Sequence, residues 1–202
     1  MTILVSGSTG LVGAALVDHL EARGDTVFRL VRGKVVEGEI VWDPQAGTID
    51  ASNLPDLDGV VHLAGENIAA GRWNEEKKAR IRDSRVDGTG LLARTLSDME
   101  NPPEVMVSAS AIGYYGDRGD EVLKEGSAPG DGFLADTCRA WEQAAAPAAE
   151  SDIRVIHPRI GVVLTKDGGA LGKMLFPFKM GVGGIVGDGD QFMSWITLDD
   201  LL

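Results

Sequence analysis

Residues 7–13 read Gly7-Ser8-Thr9-Gly10-Leu11-Val12-Gly13, and they follow closely on the apolar run Ile3-Leu4-Val5. An apolar run, a glycine-rich turn and then apolar residues at helical spacing predict a buried strand, a tight loop and a helix. In that geometry the unpaired N–H groups at the helix N-terminus face an anion such as a dinucleotide pyrophosphate. The first glycine permits the turn, the second lets the backbone approach the pyrophosphate, and the third lets the helix lie close to the sheet. Glycine is common in any βα loop, so the prediction of a pyrophosphate site rests on the spacing of the three glycines and not on their presence alone.

Composition limits the class of protein. The chain has 202 residues, of which 44% are hydrophobic and 25% are charged, which predicts a globular domain of ordinary size. The formal net charge of -12 disfavours nucleic acid as a partner, because this field repels a polyanion. One cysteine and three separated histidines favour neither a disulfide nor a metal cluster. We find no signal-peptide pattern and no long apolar run, so we expect a cytoplasmic protein that does not enter a membrane.

Strand and helix patterns alternate along the chain. Short apolar runs predict six strands, at residues 3–6, 26–32, 39–42, 59–65, 105–110 and 153–157. Apolar residues at helical spacing predict helices over residues 12–23, 75–99 and 133–150. This alternation predicts an α/β fold in which a doubly wound parallel sheet carries helices on both faces. After Pro158 the pattern loosens into glycine-rich loops, and Asp199 with Asp200 resembles the start of a helix.

The residues at the end of the second predicted strand indicate whether the cofactor is NAD or NADP. NAD-binding proteins usually place a carboxylate there to bind the ribose 2′-hydroxyl, whereas this strand ends Arg29-Leu30-Val31-Arg32. An arginine can pair with a 2′-phosphate, which a carboxylate would repel. We therefore expect NADP as the cofactor, with Arg32 as the first candidate to bind the 2′-phosphate and Arg29 as the second. The alternative is that both arginines are solvated charges at the edge of the fold.

Further cofactor contacts are expected where other strands end. Ala64 and Gly65 are small enough to let a ribose lie on the backbone, and Glu66 is either a polar cofactor contact or a helix cap. Arg159 follows the sixth strand, and it is a candidate to bind phosphate or substrate or to form a surface ion pair. We interpret His62 as a packed, hydrogen-bonded core residue. The candidate cofactor-binding residues are Gly7, Ser8, Thr9, Gly10, Leu11, Val12, Gly13, Arg29, Arg32, Leu63, Ala64, Gly65, Glu66, Ser108, Pro158 and Arg159.

Several motifs together resemble one protein family. Residues 60–65, 108–116, 158–164 and 194–196 read Val-Val-His-Leu-Ala-Gly, Ser-Ala-Ser-Ala-Ile-Gly-Tyr-Tyr-Gly, Pro-Arg-Ile-Gly-Val-Val-Leu and Ser-Trp-Ile. With the opening glycine motif, they resemble extended short-chain dehydrogenases/reductases and, more closely, the atypical "epimerase family" branch, whose members are described as nucleoside-diphosphate-sugar epimerase-like proteins. The resemblance implies an NADP-binding Rossmann domain, assigned to residues 1–165. It also implies that residues 166–202 begin a smaller substrate-binding region, expected to be truncated because family members are longer.

The proton-transfer pair of this superfamily is missing at the matching positions. In extended members a Tyr-x-x-x-Lys pair moves a proton during hydride transfer, whereas here Leu134 and Cys138 stand there, on a helix face predicted to be buried. Ser110 stands at the place of the superfamily's catalytic Ser/Thr, and it either polarises a substrate carbonyl or satisfies its own loop. Tyr115 either supplies a phenol near the cofactor or packs against its loop. Ser110 and Tyr115 are the catalytic candidates, and we propose no metal ligand.

These features lead to one expected function and one alternative. We expect an NADP(H)-dependent oxidoreductase or epimerase-like protein that acts on a carbonyl or sugar-nucleotide substrate. The alternative, which the missing Tyr-x-x-x-Lys pair favours, is a catalytically silent NADP(H)-binding module that senses redox state or binds a partner protein. The partners considered are a small-molecule substrate, with a sugar nucleotide as the candidate, and a second copy of the chain in a homodimer. Nucleic acid and membranes are not expected as partners.

Overall fold

The computed structural model describes residues 1–33, 36–185 and 187–202. The elements of the first half are β1 (Thr2–Ser6), α1 (Leu11–Arg23), β2 (Thr26–Val31), β3 (Glu39–Asp43), β4 (Thr48–Ile49), β5 (Gly59–His62) and α2 (Glu75–Ser97). Those of the second half are β6 (Val105–Ser108), β7 (Ser110–Ala111), α3 (Phe133–Gln143), α4 (Ala146–Glu150), β8 (Arg154–Ile156), β9 (Arg159–Ile160), β10 (Val162–Thr165), α5 (Gly169–Lys179), β11 (Trp195–Thr197) and α6 (Leu198–Leu201). Short 3₁₀ helices cover Ala51–Asn53 and Ile112–Tyr115.

One seven-stranded sheet organises the molecule. Its strand order is β4-β3-β2-β1-β5-β6-β8, and every neighbouring pair is parallel except β3 with β4. The chain winds outward from β1 in one direction and then returns to add β5 on the other side. The order therefore switches between β1 and β5, and a crevice opens there at the carboxyl ends of the strands. The predicted doubly wound α/β fold is confirmed.

Alternation along β1 decides which helix covers which face of the sheet. Ile3 and Val5 pack against apolar residues of α1. Leu4 points to the other face, in a larger cluster with Leu92 and Leu96 of α2, and all three are fully buried. Because successive side chains of a strand point to opposite faces, three residues of β1 hold helices on both sides of the sheet.

The predicted fifth strand is interrupted. Val105–Ser108 pairs within the main sheet, but Ser110–Ala111 leaves it and pairs with Arg159–Ile160 in a separate two-stranded ladder. The predicted strand over residues 105–110 was therefore too long. The break at Ala109 turns the chain so that Ser110 lies beside the segment after β8, and Ser110 N donates a hydrogen bond to Pro158 O at 2.9 Å.

The predicted helix over residues 133–150 is two helices. Pro147 lies in the first turn of α4, where its missing N–H group costs no helical hydrogen bond, whereas in the interior of one continuous helix it would remove a hydrogen bond and clash with the preceding turn. Leu134 was expected on the buried face of α3, but it is 42% exposed, whereas Cys138 and Trp141 are buried as expected.

Beyond β10 the chain forms helix α5, which the sequence pattern did not predict. The expected helix start near Asp199 is confirmed, because Thr197 caps α6 by accepting a hydrogen bond from Asp200 N. Among the described residues, no helix combines the length and the apolar character needed to cross a membrane.

A buried hydrogen bond joins β1 to β5. Ser6 Oγ accepts hydrogen bonds from the N–H groups of Leu63 and Ala64, at 3.2 and 3.3 Å, so its own proton is directed to His62 Nδ1 at 2.6 Å. The His62 imidazole is therefore neutral and carries its proton on Nε2. Complete burial lowers the pKa of His62 from 6.5 to about 4. The interpretation of His62 as a hydrogen-bonded core residue is confirmed.

This buried imidazole predicts a loss of stability in mild acid. Because the folded pKa is depressed, the unfolded chain binds the His62 proton first, and stability falls as the pH drops from 6.5 towards 4. We expect a loss of about 2 kcal/mol between pH 7 and pH 4.5, measured by urea unfolding. The carboxylates whose pKa values the fold lowers add their loss mainly below that range; they are Asp25, Asp50, Glu66 and Glu142.

His62→Asn keeps an acceptor for Ser6 but does not titrate, so its unfolding free energy should be nearly constant over the same range. The exposed His19→Asn serves as control and should keep the wild-type pH dependence. A wild-type unfolding free energy that is flat from pH 7 to pH 4.5 would contradict the neutral, buried state of His62.

Candidate functional site

The glycine loop lies at the centre of the crevice, between the end of β1 and the start of α1. Gly7 has a φ of 70°, a conformation that L side chains rarely adopt, and a Cβ there would lie 2.8 Å from the carbonyl carbon of Leu63. A Cβ at Gly13 would lie 2.1 Å from Gly7 O. Glycine is therefore required at both positions, because the loop contacts β5 on one side and α1 on the other.

The N-terminus of α1 is left open towards the crevice. Gly10 is the N-cap residue, no side chain caps the helix, and no acidic residue lies in its first turn. The first N–H groups of α1 are thus not satisfied by side chains of the helix terminus, and the helix dipole favours an anion there. Ser8 is buried in the loop, and Thr9 and Leu11 are exposed beside Gly10.

A second loop forms the opposite wall of the crevice. Residues Leu63–Gly65 follow β5, and Ser6 Oγ holds the first two of them through their N–H groups. The guanidinium of Arg85 lies beneath Gly65, where a Cβ would approach its Cζ to 3.1 Å. This wall is therefore formed by main chain and small side chains, as a flat cofactor surface requires.

The two arginines expected to bind a 2′-phosphate have different surroundings. Arg29 lies within β2 and forms an ion pair with Glu21 of α1, with Nη2 and Oε1 3.0 Å apart. Arg32 follows the last residue of β2 and is exposed, and no carboxylate of the described ranges lies within ion-pair distance of it. Arg32 is thus the cation that remains available at the crevice.

Glu66, the residue after the second loop, is part of an ion-pair cluster. Its carboxylate accepts a hydrogen bond from Lys77 Nζ at 2.5 Å, and Arg80 Nε lies 3.8 Å away. Lys77 is 4% exposed. Sequence reasoning missed Lys77, because a lysine in the first turn of a highly charged helix looks like a solvated residue.

At the other end of the crevice, an ion pair between α3 and β9 organises both catalytic candidates. Arg159 binds the Glu142 carboxylate through two nitrogens, Nε at 2.8 Å and Nη2 at 2.9 Å. Ser110 Oγ donates its proton to Glu142 Oε1 at 2.6 Å. Arg159 Nη1 donates to Tyr115 Oη at 2.8 Å, and the guanidinium lies over the Tyr114 ring, 3.4 Å from its centre.

This network limits what the two hydroxyl groups can do. Ser110 is 3% exposed, and because its proton points to Glu142, its oxygen can only accept a further hydrogen bond. Tyr115 is 8% exposed, and because its oxygen accepts from Arg159, its proton is available to an outside acceptor. The surface-ion-pair alternative for Arg159 does not describe this pair, whose side chains are 18% and 15% exposed.

A cavity of about 390 Å³ lies beside this network. Its lining residues are Tyr115, Leu123, Lys124, Glu125, His157, Pro158 and Arg159.

Ser108, the last residue of β6, is fully buried, and its Oγ has no hydrogen-bond partner among the described residues.

Neither residue at the Tyr-x-x-x-Lys positions can replace that pair. Leu134 is apolar, and burial raises the pKa of the Cys138 thiol, so Cys138 remains protonated at neutral pH. Glu142, one turn further along α3, is the residue of this helix that binds Arg159 and Ser110. Its carboxylate remains ionised because hydrogen bonds from Arg159 and Ser110 lower its pKa, although burial acts in the opposite direction.

Comparison with known proteins places the chain in a family. A model of the NAD dependent epimerase/dehydratase family matches residues 3–202. The chain belongs to this family. It is 42% identical over 199 residues to epimerase family protein Mb2239 of Mycobacterium bovis, and this alignment covers 98% of this chain and 65% of that protein. It is 41% identical over 204 residues to epimerase family protein SDR39U1 of Homo sapiens, which covers 100% of this chain and 68% of that protein.

Two solved structures share the fold. The crystal structure of human SDR39U1 (isoform2) with NADPH has a TM-score of 0.89 and 41% identity and covers 100% of this chain and 67% of that chain. The nucleoside-diphosphate sugar epimerase of Corynebacterium glutamicum has a TM-score of 0.87 and 42% identity and covers 100% of this chain and 42% of that chain. The family resemblance inferred from the motifs is confirmed. The chain spans about two thirds of the length of the curated relatives it matches.

The close contact at Gly13 predicts a large cost for a single methyl group. Gly13→Ala should lower the free energy of unfolding by roughly 1–3 kcal/mol, because Gly7 O is main chain and can move only by distorting the loop. Gly172→Ala is the matched control, since nothing lies within 4 Å of a Cβ there. It should leave stability unchanged or raise it by up to about 1 kcal/mol. Equal unfolding free energies for Gly13→Ala and wild type would refute the contact.

The Glu142–Arg159 pair should show strong coupling in a double-mutant cycle. Glu142→Gln leaves the Arg159 guanidinium partly buried without its counter-charge, so we expect each single variant to be less stable by about 2 kcal/mol. The double variant Glu142→Gln/Arg159→Gln should recover more than about 1 kcal/mol of the summed loss. The exposed pair Arg82–Asp83, whose side chains are 54% and 49% exposed, is the control and should couple by less than about 0.5 kcal/mol. Additive losses at Glu142 and Arg159 would show that the pair does not stabilise the fold as a unit.

Proposed function

We propose that this protein binds NADP(H) in the crevice between β1 and β5 and acts as an oxidoreductase or epimerase-like enzyme on a carbonyl or sugar-nucleotide substrate. The observation that carries the proposal is the combination of a glycine-rich loop at an open helix N-terminus with Arg32 at the tip of β2, which has no carboxylate partner among the described residues. The first fits a pyrophosphate, and the second fits a 2′-phosphate. The family and the human relative solved with NADPH support the same cofactor class.

Each part of the cofactor has candidate partners in this chain. The N–H groups of Gly7–Gly13 would hold the pyrophosphate, and Leu63–Gly65 would lie against a ribose. Ser108, Pro158 and Arg159 lie at the ends of β6 and β8, where the nicotinamide end is expected. We assign this binding domain to residues 1–165 and the start of a substrate-binding region to residues 166–202.

When bound, the nicotinamide would supply or accept the hydride. The chain's own part is to orient the substrate oxygen and to move its proton. Ser110 Oγ would accept a hydrogen bond from a substrate hydroxyl, because its own proton is held by Glu142. Tyr115 would donate its proton to a carbonyl oxygen, and the Arg159 guanidinium would stabilise the negative charge that then develops on the phenol oxygen.

The substrate we propose is a small molecule, with a sugar nucleotide as the candidate class. The Corynebacterium glutamicum protein described as a nucleoside-diphosphate sugar epimerase supports this class. We propose a cytoplasmic location and retain a homodimer as the candidate assembly.

A catalytically silent NADP(H)-binding module is the second candidate. It is favoured by the low exposure of Ser110 and Tyr115 and by the ion pair that holds both hydroxyls. Oxidation of NADPH by the full-length protein, assayed against a panel of carbonyl compounds and sugar nucleotides, separates the two. Turnover on a panel member supports the enzyme, whereas tight NADPH binding with no turnover on any of them supports the silent module.

The role of Arg32 predicts a selective effect on NADPH. Arg32→Gln should weaken NADPH binding by roughly 10- to 100-fold, because a hydrogen bond to a charged group contributes about 1.5–3 kcal/mol. NADH lacks the 2′-phosphate, so its affinity should change by no more than about twofold. Fluorescence titration of the reduced nucleotides measures both dissociation constants.

Arg29→Gln is the matched control, because Arg29 is already paired with Glu21. It should leave both affinities within about twofold of wild type. Equal weakening of NADPH and NADH by Arg32→Gln would remove Arg32 from the 2′-phosphate site.

A further inference from the structure

Lys77 is a buried cation at an unfavourable place in its helix. It lies in the first turn of α2, and its side chain is 5% exposed. The N-terminal end of a helix dipole is positive, so a buried ammonium there needs a counter-charge. Glu66 supplies it, with Oε1 2.5 Å from Lys77 Nζ. Lys77 thus connects α2 to the loop that follows β5, beside the glycine loop.

The Glu66 carboxylate also lies within the field of two arginines. Arg80 Nε is 3.8 Å from Glu66 Oε1, and the other side of Arg80 binds Glu76. The Lys77 hydrogen bond lowers the pKa of Glu66 most, and the charges of Arg80 and Arg32 lower it further. Glu66 is therefore ionised at neutral pH. It also lies near Arg32 in the fold, because β2 and β5 are the two neighbours of β1 in the sheet, Arg32 directly follows β2, and Glu66 follows the loop after β5.

The negative charge of the Glu66 carboxylate is unfavourable for binding the 2′-phosphate of NADPH. The carboxyl ends of β2 and β5 are about 10 Å apart, because one strand lies between them, so an uncompensated Glu66 would repel a 2′-phosphate held by Arg32. Lys77 removes most of that repulsion, since its ammonium is in direct contact with the carboxylate and shielded from solvent. Arg32, which has no carboxylate within ion-pair distance in the described ranges, then remains free for the phosphate.

We propose that Lys77 is a specificity-determining residue that preserves the preference for NADPH over NADH, which Arg32 provides, by neutralising Glu66. The proposal rests on the proposed binding of NADP(H) in this crevice. Lys77 does not touch the phosphate in this arrangement. Lys77 acts by neutralising the Glu66 carboxylate, whose negative charge would otherwise repel the 2′-phosphate.

The test is a charge cycle at these two positions. The variants are Lys77→Met, which keeps the length of the side chain, Glu66→Gln, and the double variant. The dissociation constants of NADPH and NADH are measured by fluorescence titration for each, and circular dichroism verifies folding. Lys78→Met is the control, because it removes a charge from the neighbouring lysine, which pairs with Glu75 rather than Glu66.

Lys77→Met should weaken NADPH binding about tenfold, the equivalent of 1.4 kcal/mol, and NADH binding by no more than about twofold. Glu66→Gln should strengthen NADPH binding by about two- to fivefold, because it removes the carboxylate and leaves the ammonium. The double variant should return to within about threefold of wild type for NADPH. Lys78→Met should change neither affinity by more than about twofold.

Other outcomes overturn the proposal. If Lys77→Met weakens both nucleotides equally or neither, Lys77 only stabilises the loop or has no part in binding. If the double variant is as weak as Lys77→Met for NADPH, the effect does not pass through Glu66. A wild-type protein that binds neither nucleotide refutes the proposed function itself, and this result is distinct from the failure of the charge cycle.

Discussion

The close approach of α1 to the loop at Gly7 is the constraint on which the rest of the structure depends. With no side chain at Gly13, the helix axis can come so near that a Cβ there would be 2.1 Å from Gly7 O. A Cβ at Gly7 would in turn lie 2.8 Å from the main chain that follows β5. These contacts align β1, α1 and β5 around one crevice. At the N-terminus of α1 no side chain caps the helix, which leaves its first N–H groups open to an anion.

Charge is distributed very differently near the crevice and over the whole chain. The formal net charge is -12, yet Arg32, Lys77 and Arg80 gather at one end of the crevice and Arg159 at the other. A small bound anion responds to these near charges, because distant ones are screened by solvent and salt. The acidic average therefore does not conflict with an anionic cofactor. The ability of a cation near the crevice to bind an anionic ligand depends on whether that cation already has a carboxylate partner.

The two ends of the crevice differ in this respect. At one end Arg32 has no carboxylate partner in the part of the chain that the structure describes, whereas at the other end the Arg159 guanidinium is held by both oxygens of Glu142 and by Tyr115. The first arrangement is suited to gain a charged ligand. The second fixes the directions of two hydroxyl groups, because Ser110 donates to Glu142 and Tyr115 accepts from Arg159. Its members come from separate segments of the chain, which the fold brings together.

Sequence patterns determined the parts of this protein that depend on neighbours along the chain. The spacing of Gly7, Gly10 and Gly13 after an apolar strand predicted the βα loop, and alternation of strands and helices predicted the parallel sheet. Boundaries failed where tertiary contacts overrode local pattern, as at Ala109, where the chain leaves the main sheet to pair with β9.

Only the tertiary structure decided which charges are paired. Glu66 lies 11 residues from Lys77, and Glu142 lies 17 residues from Arg159. The sequence could name Arg32 as the first candidate and Arg29 as the second, but only the fold pairs Arg29 with Glu21 and leaves Arg32 without a carboxylate partner among the described residues. The reason is physical. The periodicity of strands and helices depends on residues that are close in sequence. The partner of a charged side chain depends on distance in space, and the packing of the sheet and its helices sets that distance.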